Sequence, residues 1–391
     1  MATTSPQPQD ARPAKAVAAT EQHGAQAGLR SLLTLGWQRV KEGELGPLPV
    51  ILALAAIALY FGLAAEPHWI FLSSRNLTNL VLQIAATGSV AIGIVLVLLL
   101  GEIDLSVGSV AGLCSAVLAV LIVHQGRPWW VAIIATLVLG AAIGAFQGAC
   151  FAIVHVPAFV VTLAGFLVWQ GVQLRVLGTT GTINVFEPHI DKIAASQLPN
   201  VWGWLLGIGV FAAYGLSNLY KQLRRRRAGL PSQPFTVLVV WTAVVAFLAL
   251  GTIFLLNRYR GVPTAGVILL GLVFFFAWLS TQTKFGRYIY AVGGNAEAAR
   301  RAGINVAGIR IAVFALAGLM AAMGGIIFTS RLTSASSLTG GNTFLLEAIA
   351  AGDDVRASQL IESHIRRGTE LLSSRVESML ESAESTSAPS E

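Results

Sequence analysis

Few side chains in this sequence are equipped for chemistry in the apolar setting that surrounds them. Two carboxylates stand in Gly101-Glu102-Ile103-Asp104-Leu105-Ser106-Val107-Gly108, with almost no loop between two apolar runs. Ionisable groups at membrane depth are functional candidates by default, so Glu102 and Asp104, with Ser106 beside them, are candidates for a solute path. Asp104 is equally placed to cap the following helix by accepting its amide hydrogens, with Gly101 ending the helix before. Thr162, Gln170 and Gln173 interrupt another apolar segment. There they either hold helices together or line a polar cavity. His155 and His189 are isolated, and Cys114 and Cys150 fall in apolar stretches without metal or redox spacing. The sequence has no Gly-x-x-x-x-Gly-Lys-Ser/Thr loop, no His-Glu-x-x-His and no Gly-x-Ser-x-Gly. No catalytic residue, metal site or cofactor is therefore expected, and the chain reads as a non-enzyme. A proton-driven pump needs titratable residues deep in its helices. What remains is a passive conduit, or a transporter whose energy comes from elsewhere.

The elements that must position these residues are membrane spans. Of the 391 residues 55% are hydrophobic and 12% charged, against about 25% charged in soluble domains, and the mean hydropathy is +0.70. The fold class is all-α, a polytopic helical membrane protein. Nine apolar stretches approach the ~20 residues that cross a bilayer. They are Leu48–Ala65, Thr78–Leu100, Leu105–Val123, Trp129–Val154, Pro157–Leu177, Val201–Tyr220, Phe235–Leu256, Val262–Ser280 and Ile309–Ser330. The 40 glycines suit close helix packing in lipid.

Basic residues cluster before the first stretch (Arg12, Lys15, Arg30, Arg39, Lys41), after the sixth (Lys221, Arg224 to Arg227) and after the eighth (Lys284, Arg287, Arg300, Arg301, Arg310). Even numbers of spans separate the clusters, so one orientation places all three, and the N-terminus, in the cytoplasm. In such a protein a net charge of +7 sets topology, and no nucleic-acid partner is expected. Residues 1–46 show no signal-peptide pattern and have the composition of a disordered segment.

The stretch from Lys284 to Arg310 is polar between two apolar segments. Asn295 is a ready N-cap, Glu297 sits where the helix dipole favours an anion, Ala298 and Ala299 are strong helix formers, and Gly303 fits a left-handed stop. This predicts a helix of about two turns, too short to persist alone, so it needs a support.

Glu297-Ala298-Ala299-Arg300-Arg301-Ala302-Gly303 resembles the Glu-Ala-Ala-x-x-x-Gly signature of ATP-binding-cassette importer permeases. The stretches 101–109, 156–165 and 285–295 resemble the monosaccharide branch of that family, and 256–264 with the Arg-rich loop before it resembles its xylose permeases. The resemblance covers about residues 47–351. It implies the permease subunit of a bacterial inner-membrane sugar importer, for a pentose such as xylose. Its implied partners are an ATPase on a separate chain, a periplasmic sugar-binding protein and a second permease copy. It also implies that Asn295, Glu297, Ala298, Ala299, Arg300 and Gly303 form the helix that docks on the ATPase. Two other readings stand beside it: a non-transporting scaffold that holds the ATPase, and a secondary sugar transporter.

After Ala351 the resemblance ends. Residues 352–391 are expected to form an amphipathic soluble helix and a disordered tail that resemble the end of a GntR-type regulator, with His364 at the surface. On that reading the membrane domain, 47–351, is truncated at its C-terminal end.

Overall fold

The computed structural model describes residues 48–64, 73–229, 235–337 and 339. The segments 1–46 and 352–391, with His364, lie outside the described residues. Each of the nine apolar stretches contains a helix: α1 (Leu48–Ala64), α2 (Ser74–Leu98), α3 (Val107–Ala119, prolonged by a π-helical turn, Val120–His124), α4 (Trp129–Ile153), α5 (Ala158–Leu177), α7 (Asn200–Arg227), α8 (Phe235–Asn257), α9 (Thr264–Gln282) and α12 (Val306–Leu332). Among the described residues eight are long and apolar enough to cross a membrane, and α1 has 17 residues. Short elements join them: β1 (Thr182–Asn184), α6 (Pro188–Ala195), β2 (Gln197–Leu198), β3 (Val262–Pro263), α10 (Lys284–Gly294), α11 (Ala296–Arg301) and β4 (Ser334–Ser336).

Backbone chemistry sets the breaks. Gly101 takes φ +76 after α2, and His155 takes φ +63 before Val156-Pro157. Proline cannot continue a helix from within but suits its start, and Pro128, Pro157 and Pro199 stand at the N-caps of α4, α5 and α7.

The chain divides into two compact units. In the one that includes Gln197–Pro263, α7 and α8 run antiparallel: Gly203 lies against Asn257, Gly207 against Ile253 and Gly215 against Thr242. The β2–β3 pair, with Leu198 opposite Val262, closes this hairpin. Gly261 (φ +109) is needed there, because a Cβ would meet the Leu198 carbonyl oxygen at 2.3 Å.

The other unit, Val81–Ser196 with Thr264 onward, is centred on α3 and α12, whose apolar windows are 67% and 61% buried. α4 lies flat against α12 because glycines let the backbones touch. A Cβ on Gly144 would meet the Phe314 carbonyl oxygen at 2.0 Å, and one on Gly318 the Gly140 oxygen at 2.1 Å. At one end of this unit β1 pairs antiparallel with β4, Ile183 opposite Ala335, over a cluster containing Ala116, Ala119, Leu177 and Val185. α6 is fixed to the same end, where the Ser330 hydroxyl donates to the Ile190 carbonyl (2.6 Å) and accepts from the Ala194 amide (2.8 Å). The opposite end holds the loop 99–106, the break at 154–157 and the segment α10–α11.

Candidate functional site

The polar stretch 284–310 folds as two helices joined at one residue. α10 is amphipathic, burying Ile289 and Val292 and exposing Tyr288 and Tyr290. Thr283 caps it, its hydroxyl accepting from the Gly286 amide (3.1 Å). Asn295 then turns extended (φ −160, ψ 100) and caps α11, Oδ1 accepting from the Ala298 amide at 2.9 Å.

α11 stops by two reversed hydrogen bonds. The Gly303 amide donates to the Arg300 carbonyl and the Ile304 amide to the Ala299 carbonyl, both 3.0 Å, with Gly303 at φ +84. This is the Schellman pattern, and its usual apolar contact is present, since Ala299 and Ile304 join the same buried cluster. Asn305 caps α12 in turn, accepting from the Gly308 amide at 2.9 Å. α11 is therefore held by caps at both ends and rooted by Ala299, with Ala296 partly buried against the same cluster, while Glu297, Ala298 and Arg300 face outward. Among the described residues Glu297 pairs only along its own helix, with Arg300 (3.4 Å) and Arg301 (3.2 Å).

The α10–α11 segment sits on the loop after α2. A Cβ on Gly293 would fall 2.0 Å from the Leu99 carbonyl oxygen, so helix and loop touch backbone to backbone. The same loop carries the two carboxylates that the sequence singles out. Glu102 turns to Arg310 in the first turns of α12, 3.7 Å away, with both side chains about one-fifth exposed. The Arg310 guanidinium also lies over the Phe151 ring of α4, 4.3 Å from its centroid. Burial pushes the Glu102 carboxyl up, and the Arg310 charge only partly opposes this.

Asp104 Oδ1 accepts from both the amide (2.8 Å) and the hydroxyl (2.7 Å) of Ser106, locking the turn into α3. Desolvation raises its pKa, and the two Ser106 hydrogen bonds oppose the rise. The Thr162 hydroxyl of α5 donates to the Ile103 carbonyl of this loop (3.3 Å). The structure thus brings Asp104, Ser106 and Thr162 together, turns Glu102 aside to Arg310, and leaves Gln170 eight residues further along α5, about 12 Å away by helical rise. Gln173, on the face of α5 that carries Thr162, donates through Nε2 to the Ser336 and Thr339 carbonyls, both 2.9 Å.

Sequence reasoning missed Gln147 and the Glu102–Arg310 pair. Gln147 is the only amide side chain in α4 and stands between Gly144 and Gly148, a pattern that could have pointed to it. No group of three or more His, Cys, Asp or Glu able to hold a metal occurs among the described residues.

The Arg310 contacts have a measurable weight. Arg310→Ala removes a guanidinium stacked on an aromatic face and strands the half-buried Glu102, so a loss of about 2 to 3 kcal/mol is expected. Glu102→Gln leaves the stacking in place and is expected to cost about 1 kcal/mol. Thermal unfolding midpoints in one detergent should rank wild type above Glu102→Gln above Arg310→Ala. Equal losses in the two variants would mean that the ion pair, not the stacking, dominates.

A family model described as branched-chain amino acid transport system / permease component matches residues 76–352, which include the loop 99–106 and the α10–α11 segment. The chain is 42% identical over 317 residues to the xylose transport system permease protein XylH of Escherichia coli (strain K12), covering 81% of this chain and 79% of that protein. It is 36% identical over 313 residues to the XylH of Haemophilus influenzae, covering 80% and 82%. The ribose import permease protein RbsC of Escherichia coli (strain K12) is 34% identical over 282 residues, covering 72% and 69%. No solved structure matches.

Proposed function

The chain belongs to the family of branched-chain amino acid transport system permease components, and from that premise we propose that it is the membrane-spanning subunit of an ATP-driven importer of a pentose, xylose first among candidates. Identity to the xylose permeases across about four-fifths of both chains carries the choice of sugar. The sequence has no nucleotide loop, and on this reading ATP is hydrolysed on a separate chain. A periplasmic sugar-binding protein delivers the substrate, and a second copy of this chain completes the pathway in the bacterial inner membrane. The three basic clusters and the N-terminus then face the cytoplasm, with α11 offered to the ATPase from the same side.

On this reading the permease does no chemistry. Closure of the ATPase displaces α11, and the Asn295 and Gly303 caps let the turn move as a body. The Gly293–Leu99 contact and Arg310 pass the displacement to the loop 99–106 and to α4. This is binding energy biasing a two-state element.

In a bacterial strain lacking its xylose permease, this chain, co-expressed with its ATPase and a xylose-binding protein, is expected to restore uptake of labelled xylose. Ribose should compete weakly. Uptake of ribose but not xylose would replace the sugar, and a membrane-inserted, assembled complex moving no monosaccharide would overturn the reading.

A further inference from the structure

One buried group of side chains has more hydrogen-bond donors than acceptors as its atoms are paired. Ser106 and Gln147 are 0% and 2% exposed. Oγ of Ser106 lies 2.7 Å from Oδ1 of Asp104 and 3.1 Å from Oε1 of Gln147. Nε2 of Gln147 and the indole Nε1 of Trp169 are both buried without a partner among the described residues. Both crowd the α-carbon of Gly165: a Cβ built there would lie 2.1 Å from Nε2 and 3.1 Å from Nε1. Two donors left unpaired in a membrane interior would each carry an uncompensated desolvation penalty.

The serine resolves the conflict, because a hydroxyl has one proton. The bond to a carboxylate is the shorter and the charge-assisted one, so the proton goes to Asp104. Toward Gln147 Ser106 then offers only lone pairs, which call for an amide N–H rather than an amide oxygen. Which end of a glutamine amide is nitrogen is fixed by its hydrogen bonds. With its NH2 on Ser106, its oxygen stands over Gly165, where the Trp169 N–H needs an acceptor. The chain then runs in one direction: Trp169 donates to Gln147, Gln147 to Ser106, and Ser106 to Asp104. Oδ1 accepts from Ser106 whether or not Oδ2 carries a proton, so the order does not depend on the charge of Asp104.

We propose that Gln147 is a positioning residue for transport, its amide tying the loop 99–106 to α5 through Ser106 and Trp169. Gly165 is required because any side chain there would occupy the place of the amide. Resting on the importer reading, the inference adds a route: displacement of the α10–α11 segment reaches α5 through this chain of hydrogen bonds, besides reaching α4 through Arg310.

The test uses the full chain with its ATPase and binding protein in proteoliposomes, reading sugar moved per ATP hydrolysed. A second reading is the 19F resonance of Trp169 in protein carrying 5-fluorotryptophan, assigned by its loss in Trp169→Phe. Gln147→Leu, which removes the amide's polar atoms, is expected to lower the transport ratio about tenfold, comparable to one lost hydrogen bond in a charged network, and to shift the Trp169 resonance. Trp169→Phe removes the indole N–H with part of the ring but leaves Gln147 and Ser106 in place, and is expected to lower the ratio about threefold, so the question stays answerable if Gln147→Leu fails to fold. A wild-type ratio in either variant, or an unmoved Trp169 resonance in Gln147→Leu, overturns the proposal. If the wild-type complex moves no monosaccharide, the importer reading falls, while the resonance still decides whether Gln147 accepts from Trp169.

Discussion

Gly144→Ala is expected to destabilise the protein by about 2 to 3 kcal/mol, whereas Gly171→Ala should stabilise it by up to about 1 kcal/mol. Both substitutions add one methyl group to a helical glycine, so any difference comes from surroundings. At Gly144 the methyl would sit 2.0 Å from the Phe314 carbonyl oxygen, well inside contact distance, and α12 would have to back away. It cannot do so cheaply. The same face of α4 carries Gly140 and Gly148 against Gly318 and Ile311, so one displaced turn opens the whole seam. At Gly171 of α5 nothing lies within 4 Å, and only the gain in helix propensity remains. Paired thermal unfolding midpoints in the same detergent decide it. Shifts of the same sign would mean that α4 and α12 do not meet through backbone contact.

These glycines show how far the sequence could be read. Apolar runs near the length of a bilayer announce helices regardless of partners, which is why all nine stretches fold as helices. The caps at Asn295 and Gly303 were legible for the same reason, since each depends on residues within a turn. The segment 284–294 was not read as a helix, because its polar composition resembles a loop. Its amphipathic pattern, with Ile289 and Val292 inward, has meaning only against the loop 99–106 and the α2, α9 and α12 side chains (Leu96, Phe276, Met320) that it covers. The β1–β4 pair was hidden for a related reason. Three residues of one loop meet three that are about 150 positions later, and neither segment has strand character of its own. Glu102 shows the same for the site: its partner Arg310 lies about 200 positions away, so the sequence presents the carboxylate without the cation beside it.

Two substitutions in α11 separate folding from docking. Glu297→Ala is expected to leave the thermal midpoint unchanged, yet to reduce co-purification of the ATPase at least tenfold. The first half follows from exposure. Glu297 is 58% exposed, its partners Arg300 and Arg301 more so, and such pairs contribute about 0.5 kcal/mol or less. A carboxylate with so little to do at home is free to meet a partner. Gly303→Val should also lose the ATPase, but by a different route. A β-branched residue at φ +84 costs more than the 1 to 2 kcal/mol or so of an ordinary left-handed residue. The turn would relax, releasing the Gly303 and Ile304 amides from their carbonyls and Ile304 from its cluster. Its mark is therefore loss of docking together with faster amide exchange across 299–304, whereas Glu297→Ala should leave exchange there unaltered. Undiminished co-purification with both variants would mean that the ATPase grips some other part of this surface, with the exposed face of α10 next to be tested.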